Sequence, residues 1–397
     1  MRSKTLYSVA LLIESGWAFG RGLLKGTARY ARTKGNWSIL YHPWESDHEM
    51  LSWLKQANCD GVIARITTSK LLGTLCRLKV PVVDVRREYR SPDIPVVGSE
   101  DRLIAQLAAD HLLERGFHRF AFCGFAGINY SVRRRDFFTA CLAKHHHQPI
   151  IYEGGTSHRD GMLQKESRAM FHERELGVWL SNLPKPIGLM ACNDLRGRQA
   201  LNACRTRRIA VPDDVAVIGV DNDEVLCELA DPPLSSVIQA TEQIGYEAAA
   251  LLESMMEGQP PPKEDTLIEP IGVVTRRSTD VLAVEDRRVA AALRFIRENA
   301  SEGISVEDVL NHLSADGSMN VSRSTLEHRF LETLGRSPKD EILRLRLERV
   351  KQLLVETDWT LAKIAEEVGI ERAEYLSALF KRKFYQTPGE FRLQMKR

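Results

Sequence analysis

The chain has 397 residues, 43% hydrophobic and 27% charged, and a formal net charge of +2, which is typical of a globular protein of two or three domains. No apolar run approaches the length of a membrane span and no signal-peptide pattern opens the chain, so we expect a cytoplasmic protein without a membrane segment. Seven scattered cysteines without C-x-x-C spacing, and a His145–His147 triplet without spaced partners, predict buried thiols and neither a metal site nor a cofactor.

Strand and helix patterns alternate from the start of the chain. Apolar and period-two runs predict strands at 7–13, 37–41, 61–64 and 80–84. Helical periodicity predicts helices at 19–32, 50–57, 70–78 and 101–115. This rhythm is typical of a parallel, doubly wound sheet.

A second set of the same kind begins near residue 117. Strands are predicted at 119–124, 150–152, 187–191 and 215–220, and helices at 131–144, 175–182 and 194–207. A helix at 244–256 and a strand near 266–271 are expected to return to the first lobe. The sequence therefore predicts a two-lobed α/β domain over 1–278. Its lobes would comprise about 1–116 plus 241–278, and 117–240, and a linker would follow at 279–286.

The region 287–397 is predicted to be all helical, opening with a helix at 287–299. A short helix at 361–368 precedes a polar, basic helix at 371–384 around Gly369, and the pattern resembles that of the helices at 304–313 and 321–334. Glycine suits the left-handed conformation that ends the first helix of such a pair. The pattern favours two helix-turn-helix motifs, whose second helices enter the major groove of DNA. For one copy alone, a helical hairpin in a larger core is the alternative.

The motifs RSTLEHRF, LRLERVKQLL, IAEEVGI, FKRKF and TPGEFR make about 286–397 resemble the DNA-binding domain of the AraC family. In that family one long helix, here 340–355, joins two helix-turn-helix motifs, so the resemblance implies double-stranded DNA as a partner. The residues expected at bases are Arg323, Ser324, Glu327 and His328 in the first motif and Arg372, Glu374 and Tyr375 in the second, while Lys381 and Arg382 are expected at phosphates or on the domain's own surface. The chain departs from the family at an insertion over 314–320 and at Tyr385, where glycine is usual.

Two α/β lobes in series create a cleft, and ligands of such sheets bind beyond the carboxyl ends of the strands. Phe19 follows the first strand, Asn193 the strand at 187–191 and Asp221 the strand at 215–220, while Arg135 lies near the start of the helix at 131–144. Amides, carboxylates and an arginine beside aromatic rings suit a sugar. Each residue has a structural alternative, namely capping for Asn193 and Asp221, the core for Phe19 and the surface for Arg135.

The motifs HLLERGFHRFAF, SVRRRDFF, MACND, VPDDVAVIGVDND and PPLSSVIQ make about 5–277 resemble the sugar-responsive core of the lactose/galactose-repressor family, itself similar to type I periplasmic sugar-binding proteins. By position, the resemblance implies sugar contacts from Arg135, Asn193 and Asp221. Such a core followed by an AraC-like domain resembles the regulators of xylose operons. That resemblance, and not the residue chemistry, implies D-xylose as the effector. It also implies activation of xylose-utilisation genes, a homodimer, and RNA polymerase as a partner.

Two other functions are weighed against a sugar-responsive regulator. Gly20, Gly22 and Gly26 invite a dinucleotide-dependent enzyme, but their G-x-G-x-x-x-G spacing departs from the nucleotide-binding fingerprint and begins seven residues past the predicted strand. No metal cluster or nucleophile elbow appears either, so we predict that the protein is not an enzyme. A DNA-binding regulator whose first domain binds another sugar or a protein partner is the second alternative.

Overall fold

The computed structural model describes residues 6–41, 53–54, 56–154, 173–280, 286–315 and 321–395. The chain divides into an N-terminal unit, Met1–Val281, and a C-terminal unit, Leu282–Arg397. The helix predicted at 50–57, the linker at 279–286 and the insertion at 314–320 lie partly outside the described residues. No helix among the described residues is long and apolar enough to cross a membrane.

Strands and helices alternate through the N-terminal unit, as the sequence predicts. The strands are β1 (Tyr7–Leu12), β2 (Trp37–Tyr41), β3 (Gly61–Ala64), β4 (Val82–Asp84), β5 (Val97–Ser99), β6 (Phe120–Gly124), β7 (Pro149–Glu153), β8 (Ile187–Ala191), β9 (Val215–Val220), β10 (Ser235–Ile238), β11 (Thr266–Ile268) and β12 (Gly272–Val274). The helices are α1 (Ala18–Lys34), α2 (Ser69–Leu75), α3 (Asp101–Leu113), α4 (Asn129–Ala143), α5 (Glu173–Asn182), α6 (Asp194–Arg207), α7 (Glu224–Glu228) and α8 (Thr241–Met256). The elements β5, β10, β12 and α7 are additional to the predicted ones, because runs of three to five residues are too short to show a period.

Two larger sheets form the two lobes of the N-terminal unit, and β11 and β5 form a third, two-stranded parallel sheet. The first lobe contains a parallel sheet of order β2-β1-β3-β4, and the second a sheet of order β12-β10-β9-β8-β6-β7. In the second sheet β12 pairs antiparallel with β10, and the other pairings are parallel. The central strands β3, β6, β8 and β9 are buried along their whole length, which explains their continuous apolar sequences.

The chain passes between the lobes three times, after β5, after β10 and after β11. Helix α3 packs on the second sheet, where Leu112 lies against Gly188 of β8, while α8 packs on α1 in the first lobe. The predicted lobe limits, 1–116 plus 241–278 and 117–240, therefore differ from the structure at α3 and β12, which both join the second lobe. An amphipathic pattern shows that one face of a helix is buried, but not which sheet buries it.

The glycines that invited a nucleotide-binding reading are packing residues. A Cβ atom on Gly22 would collide with Thr241, and one on Gly26 with the carbonyl oxygen of Glu242. On the opposite side of the same contact, Gly245 of α8 lies against the backbone of Leu23 in α1. Gly22 and Gly26 thus let α1 and α8 approach closely, and a Cβ atom on Gly20 would collide with the carbonyl oxygen of Glu14, so packing accounts for the G-x-G-x-x-x-G pattern.

The C-terminal unit is helical and contains two copies of one motif. Its helices are α9 (Arg287–Asn299), α10 (Val306–Ala315), α11 (Arg323–Leu334), α12 (Pro338–Glu356), α13 (Leu361–Glu367), α14 (Ala373–Phe384) and α15 (Pro388–Met395). One core forms around Leu326 and Phe330 of α11, and the other around Leu376 and Phe380 of α14. The two predicted helix-turn-helix motifs are thus α10–α11 and α13–α14, joined by α12.

The two copies also end alike. Helix α11 ends at Gly335 with φ of 66°, and α14 ends at Tyr385 with φ of 59°. The next helix of each copy begins with a reciprocal capping pair. In the first, the Ser337 side chain accepts from the backbone of Asp340 and the Asp340 carboxylate accepts from Ser337. Thr387 and Glu390 make the same pair of bonds at the start of α15.

Candidate functional site

The described residues of the N-terminal unit enclose a cavity between the two lobes, at the edge where the parallel strands end. Its lining consists of Trp17, Ala18, Phe19, Arg65, Val85, Arg86, Arg87, Ser99, Asp101, Tyr130, Arg133, Arg134, Asn193, Asp194, Leu195, Asp221, Asp223, Leu226 and Gln239. Guanidinium, carboxylate and amide groups therefore surround one space together with aromatic rings. Such a lining can donate to and accept from hydroxyl groups while a ring covers an apolar face of the ligand.

Three of the four predicted ligand residues line this cavity: Phe19, Asn193 and Asp221. Asn193 also has its structural role, because its Oδ1 accepts from the backbone N–H of Arg196 at 2.9 Å and caps α6. Its Nδ2 donates to the Tyr130 hydroxyl at 3.0 Å. The helix cap thus orients the Asn193 amide, whose nitrogen faces the side of the cavity that Tyr130 lines.

Asp221 lies in a constrained loop directly after β9. Its φ is 112° and that of Asn222 is 48°, both in the region that favours glycine. Gln239 donates its side-chain N–H to the Asp221 carboxylate. Asp194 connects this loop to β10. Its carboxylate accepts from the Asp223 backbone N–H at 2.8 Å and from the Ser236 hydroxyl at 2.6 Å. Burial, together with the charge of Asp221, raises the pKa of Asp194 well above its usual range.

The fourth predicted residue, Arg135, does not line the cavity. Its guanidinium donates to Glu153 at 2.7 Å and to Asp136 at 2.8 Å, on the side of α4 that faces β7. The neighbouring Arg134 lines the cavity instead, 4% exposed. Each helix residue is rotated by about 100° from the one before, so a shift of one position in a run of three arginines changes the face.

Arg134 is held by partners on three sides. Its Nε donates to Asp101 at 3.0 Å, and its Nη1 donates to the Cys192 carbonyl at 2.6 Å. The guanidinium lies 4.9 Å from the centroid of the Tyr130 ring. The second oxygen of the Asp101 carboxylate accepts from Arg133 at 2.7 Å. Asp101 is therefore the anchor that positions two arginines at the cavity wall.

The first lobe contributes arginines that our sequence reasoning did not select. Arg65 follows β3 directly, pairs with Glu14 and lies 5.2 Å from the Phe19 ring centroid. Arg86 and Arg87 follow β4, where the buried Asp84 carboxylate accepts from their backbone N–H groups at 3.0 and 2.9 Å. Burial raises the pKa of Asp84 to about 6. The rule that selected Asn193, namely the residues after each strand, applies equally to Arg65, to Arg86 and to Gln239 after β10.

Polar contacts connect the lobes on two sides of the cavity. The Asp223 carboxylate of the second lobe accepts from the backbone N–H of Ala18 at 2.9 Å, at the start of α1 in the first lobe. On another side, Glu88 accepts from the Asn129 backbone N–H at 3.1 Å, at the start of α4. In both cases a carboxylate of one lobe meets the positive end of a helix in the other. These contacts hold the lobes together around the cavity.

The residues predicted to meet DNA lie on the outer faces of α11 and α14. In α11, Arg323, Ser324 and His328 are exposed and Glu327 is half-buried; at α14, Arg372, Glu374, Tyr375, Lys381 and Arg382 are exposed. The opposite faces of both helices are buried in their cores. Arg323 donates to Glu327 at 3.0 Å and His328 lies 3.3 Å from Glu332, so both pairs are of the exposed i, i+4 kind. Within the described residues no group of three or more His, Cys, Asp or Glu could hold a metal ion.

Two known domain families match the chain: a periplasmic binding protein-like domain over residues 109–279 and a helix-turn-helix domain over residues 317–394. Fold and sites thus define a DNA-binding transcription regulator with a periplasmic-binding-protein-like sensor domain. The chain is 33% identical to the xylose operon regulatory protein of Haemophilus influenzae over 98% of both chains, and 30% identical to that of Escherichia coli K12 over 97% of both. The chain belongs to the family of xylose operon regulatory proteins.

A solved structure supports the same assignment. The structure of a xylose-binding transcription activator matches with a TM-score of 0.73 and 29% identity, over 98% of both chains. Because the relatives are transcription regulators, the sequence-based exclusion of an enzyme is confirmed. The resemblance to regulators of xylose operons is also confirmed.

Proposed function

We propose that this protein is a D-xylose-dependent activator of xylose-utilisation genes. The observation that carries the proposal is one chain with two features: a cavity with polar groups from both lobes, and two outward-facing recognition helices. The choice of D-xylose rests on the relatives, which include two xylose operon regulatory proteins and a xylose-binding transcription activator.

The cavity offers a pentose complementary partners. Asp221 would accept hydrogen bonds from hydroxyls, Arg134 would donate to hydroxyl or ring oxygens, and Asn193 can do both. Phe19 would cover the C–H face of the ring. We propose these four as ligand residues, with Arg134 in place of Arg135.

Ligand binding would change the balance between open and closed arrangements of the lobes. A ligand shifts such an equilibrium only by its difference in affinity for the two states. A sugar that contacts Arg134 in one lobe and Phe19 in the other binds the closed state better. The bonds of Asp223 to Ala18 and of Glu88 to Asn129 would form in that state.

The C-terminal unit would place α11 and α14 in successive major grooves, about 34 Å apart. Arg323, Ser324, Glu327 and His328 would face one groove, and Arg372, Glu374 and Tyr375 the next. Lys381 and Arg382 would contact phosphates. We further propose a cytoplasmic homodimer that contacts RNA polymerase, with domains at 1–278 and 287–397 joined by a linker at 279–286.

Two measurements test this function together. Calorimetric titration with a panel of pentoses and hexoses should give binding heat for D-xylose, and the signal should be lost in Asp221→Asn, which removes a charge without changing size. Footprinting on the promoter of xylose-utilisation genes should show protection that D-xylose strengthens. Heat from another sugar alone would reassign the effector, and flat traces for every sugar would favour a protein partner for the first domain. No protected sequence with or without sugar would overturn the regulator itself.

A further inference from the structure

The last described segment of the N-terminal unit is anchored to the second lobe. This exit segment, residues 276–279, includes Ser278 and Thr279, which are fully buried. Ser278 donates its hydroxyl to the Val217 carbonyl of β9 at 2.6 Å. Arg115 at the end of α3 donates to the Thr279 carbonyl at 2.8 Å. The chain therefore leaves towards the C-terminal unit from the second lobe, and a movement of the first lobe alone does not displace the exit segment.

A single side chain joins this exit segment to the loop that carries Asp221. Arg276 donates its Nη1 to the Asn222 side-chain oxygen at 2.9 Å and to the Leu234 carbonyl at 3.0 Å. Its Nε donates to Glu228 at 3.0 Å. The Arg276 side chain is only 11% exposed, so its bonds to Asn222 and Leu234 are partly shielded from competing water. The backbone of Arg276 is fixed in addition by two bonds to the Ser235 hydroxyl.

Asn222 lies between Asp221, which lines the cavity, and Asp223, which contacts the first lobe. Asp221 lines the cavity on one side, and Asp223 on the other side accepts from Ala18 of the first lobe. A rotation of this loop would change the cavity wall, the contact between lobes and the acceptor of Arg276 at once. Asp221 and Asn222 both have positive φ, an unfavourable conformation that persists only where surrounding contacts impose it. The loop is thus an element whose arrangement depends on its partners.

We propose that Arg276 transmits occupation of the cavity to the exit segment through its bond to Asn222. This inference rests on the proposed function, since it concerns how the same sugar site controls DNA binding. A ligand held by Asp221 stabilises one arrangement of residues 221–223. Asn222 then presents its oxygen to Arg276, and Arg276 holds the exit segment in the corresponding position. Arg276 is a positioning residue, because it does not line the cavity itself.

The test compares sugar affinity with the sugar-dependent change in DNA affinity. The full-length protein is titrated with D-xylose by calorimetry and with promoter DNA by fluorescence anisotropy, with and without saturating D-xylose. In Arg276→Gln we expect a D-xylose Kd within about threefold of the wild type, while the ratio of DNA affinities falls below about a third of the wild-type ratio. Arg277→Gln is the matched control, since it removes the same charge one residue later from an exposed side chain.

A second variant separates the bond from any general loss of structure. Asn222→Gly removes the acceptor of Arg276 but tolerates the positive φ, and Arg276 keeps its bonds to Glu228 and Leu234. We expect the same fall in the ratio as in Arg276→Gln. A wild-type ratio in both variants overturns the proposal, and so does an equal fall in Arg277→Gln. If the wild-type protein itself shows no effect of D-xylose on DNA binding, it is the proposed function that fails.

Discussion

Gly303 and Gly369 lie back to back in the C-terminal unit. A Cβ atom on Gly369 would come within 2.5 Å of the Gly303 nitrogen, and both residues have positive φ, of 66° at Gly369 and 79° at Gly303. Gly369 is the turn glycine of the second helix-turn-helix motif, and Gly303 precedes α10 of the first. The turn of the second motif therefore packs directly against the backbone that precedes the first motif.

We expect Gly369→Ala to destabilise the C-terminal unit by about 2–4 kcal/mol, because it adds backbone strain and a collision with Gly303. Gly335→Ala is the matched control, with the same φ of 66° but open space around the added methyl group, and should cost about 1 kcal/mol. Trp359 is the one tryptophan between residues 282 and 397, so urea unfolding can be followed by fluorine NMR of fluorotryptophan-labelled protein. Equal losses in both variants would contradict a role for the contact between the two glycines.

Tyr385 occupies a left-handed position that Gly335 occupies in the first copy. Its side chain is 92% exposed, so little packing would be lost on its removal. We expect Tyr385→Gly to stabilise the C-terminal unit by about 0.5–1 kcal/mol, since relief of strain exceeds the added entropy of the unfolded chain. Tyr385→Ala, which keeps the strain, should stay within about 0.5 kcal/mol of the wild type. The same unfolding assay applies, and a loss of stability in the glycine variant would refute the argument.

Arg134 and Arg135 should differ sharply in their effect on ligand binding. Arg134→Lys keeps the charge but loses the forked donor geometry that reaches both Asp101 and the Cys192 carbonyl. We expect it to weaken D-xylose binding at least about tenfold, which corresponds to about 1.4 kcal/mol. Arg135→Lys, outside the cavity, should change the Kd less than about twofold. Calorimetry on both variants decides, and a larger loss at Arg135 would restore the sequence-based assignment.

His111 should make the N-terminal unit less stable at mildly acidic pH. Burial, assisted by the charge of Arg115, lowers the pKa of His111 to about 3, whereas an unfolded histidine has a pKa of about 6.5. As the pH falls below about 6.5, the unfolded chain binds a proton that the folded chain does not. The free energy of unfolding therefore decreases as the pH decreases. The loss from this group between pH 7 and 5 is about 2 kcal/mol. In His111→Gln, the free energy of unfolding measured with urea should decrease between pH 7 and 5 by about 2 kcal/mol less than in the wild type. The same change at the exposed His118 is the control, and an unchanged slope in His111→Gln would contradict the assignment.

Lys381 and Arg382 should contribute to DNA binding through phosphate contacts. Each of Lys381→Gln and Arg382→Gln is expected to lower the affinity for promoter DNA and for unrelated DNA by the same factor. Each should also reduce the magnitude of the slope of log affinity against log salt concentration by about 1. Lys25→Gln removes the same charge from an exposed position of the N-terminal unit and should leave the slope unchanged. Anisotropy titrations at several salt concentrations measure these slopes. A loss confined to the promoter sequence would indicate base contacts instead.

Local patterns in the sequence were enough for the elements and for much of the site. The strands at 187–191 and 215–220 and the helix at 194–207 have the predicted bounds, because buried parallel strands are continuous apolar runs. Phe19, Asn193 and Asp221 follow strand ends, and those ends converge in any parallel sheet of this class. The repeat of the helix-turn-helix motif was likewise visible, since its apolar spacing is a property of each segment alone.

Only the tertiary structure decided which lobe holds α3, that Arg133 and Arg134 face the cavity while Arg135 does not, and that Asp223 contacts Ala18 more than 200 residues away in the chain. Each of these depends on where one segment lies relative to a distant one. Periodicity describes a segment against itself, so it shows that a helix has a buried face but not what covers it. For the same reason the bond from Arg276 to Asn222 has no sequence signal: the two residues meet only because β10 lies between β9 and β12 in the sheet, which brings the loop after β9 and the segment after β12 within reach of each other.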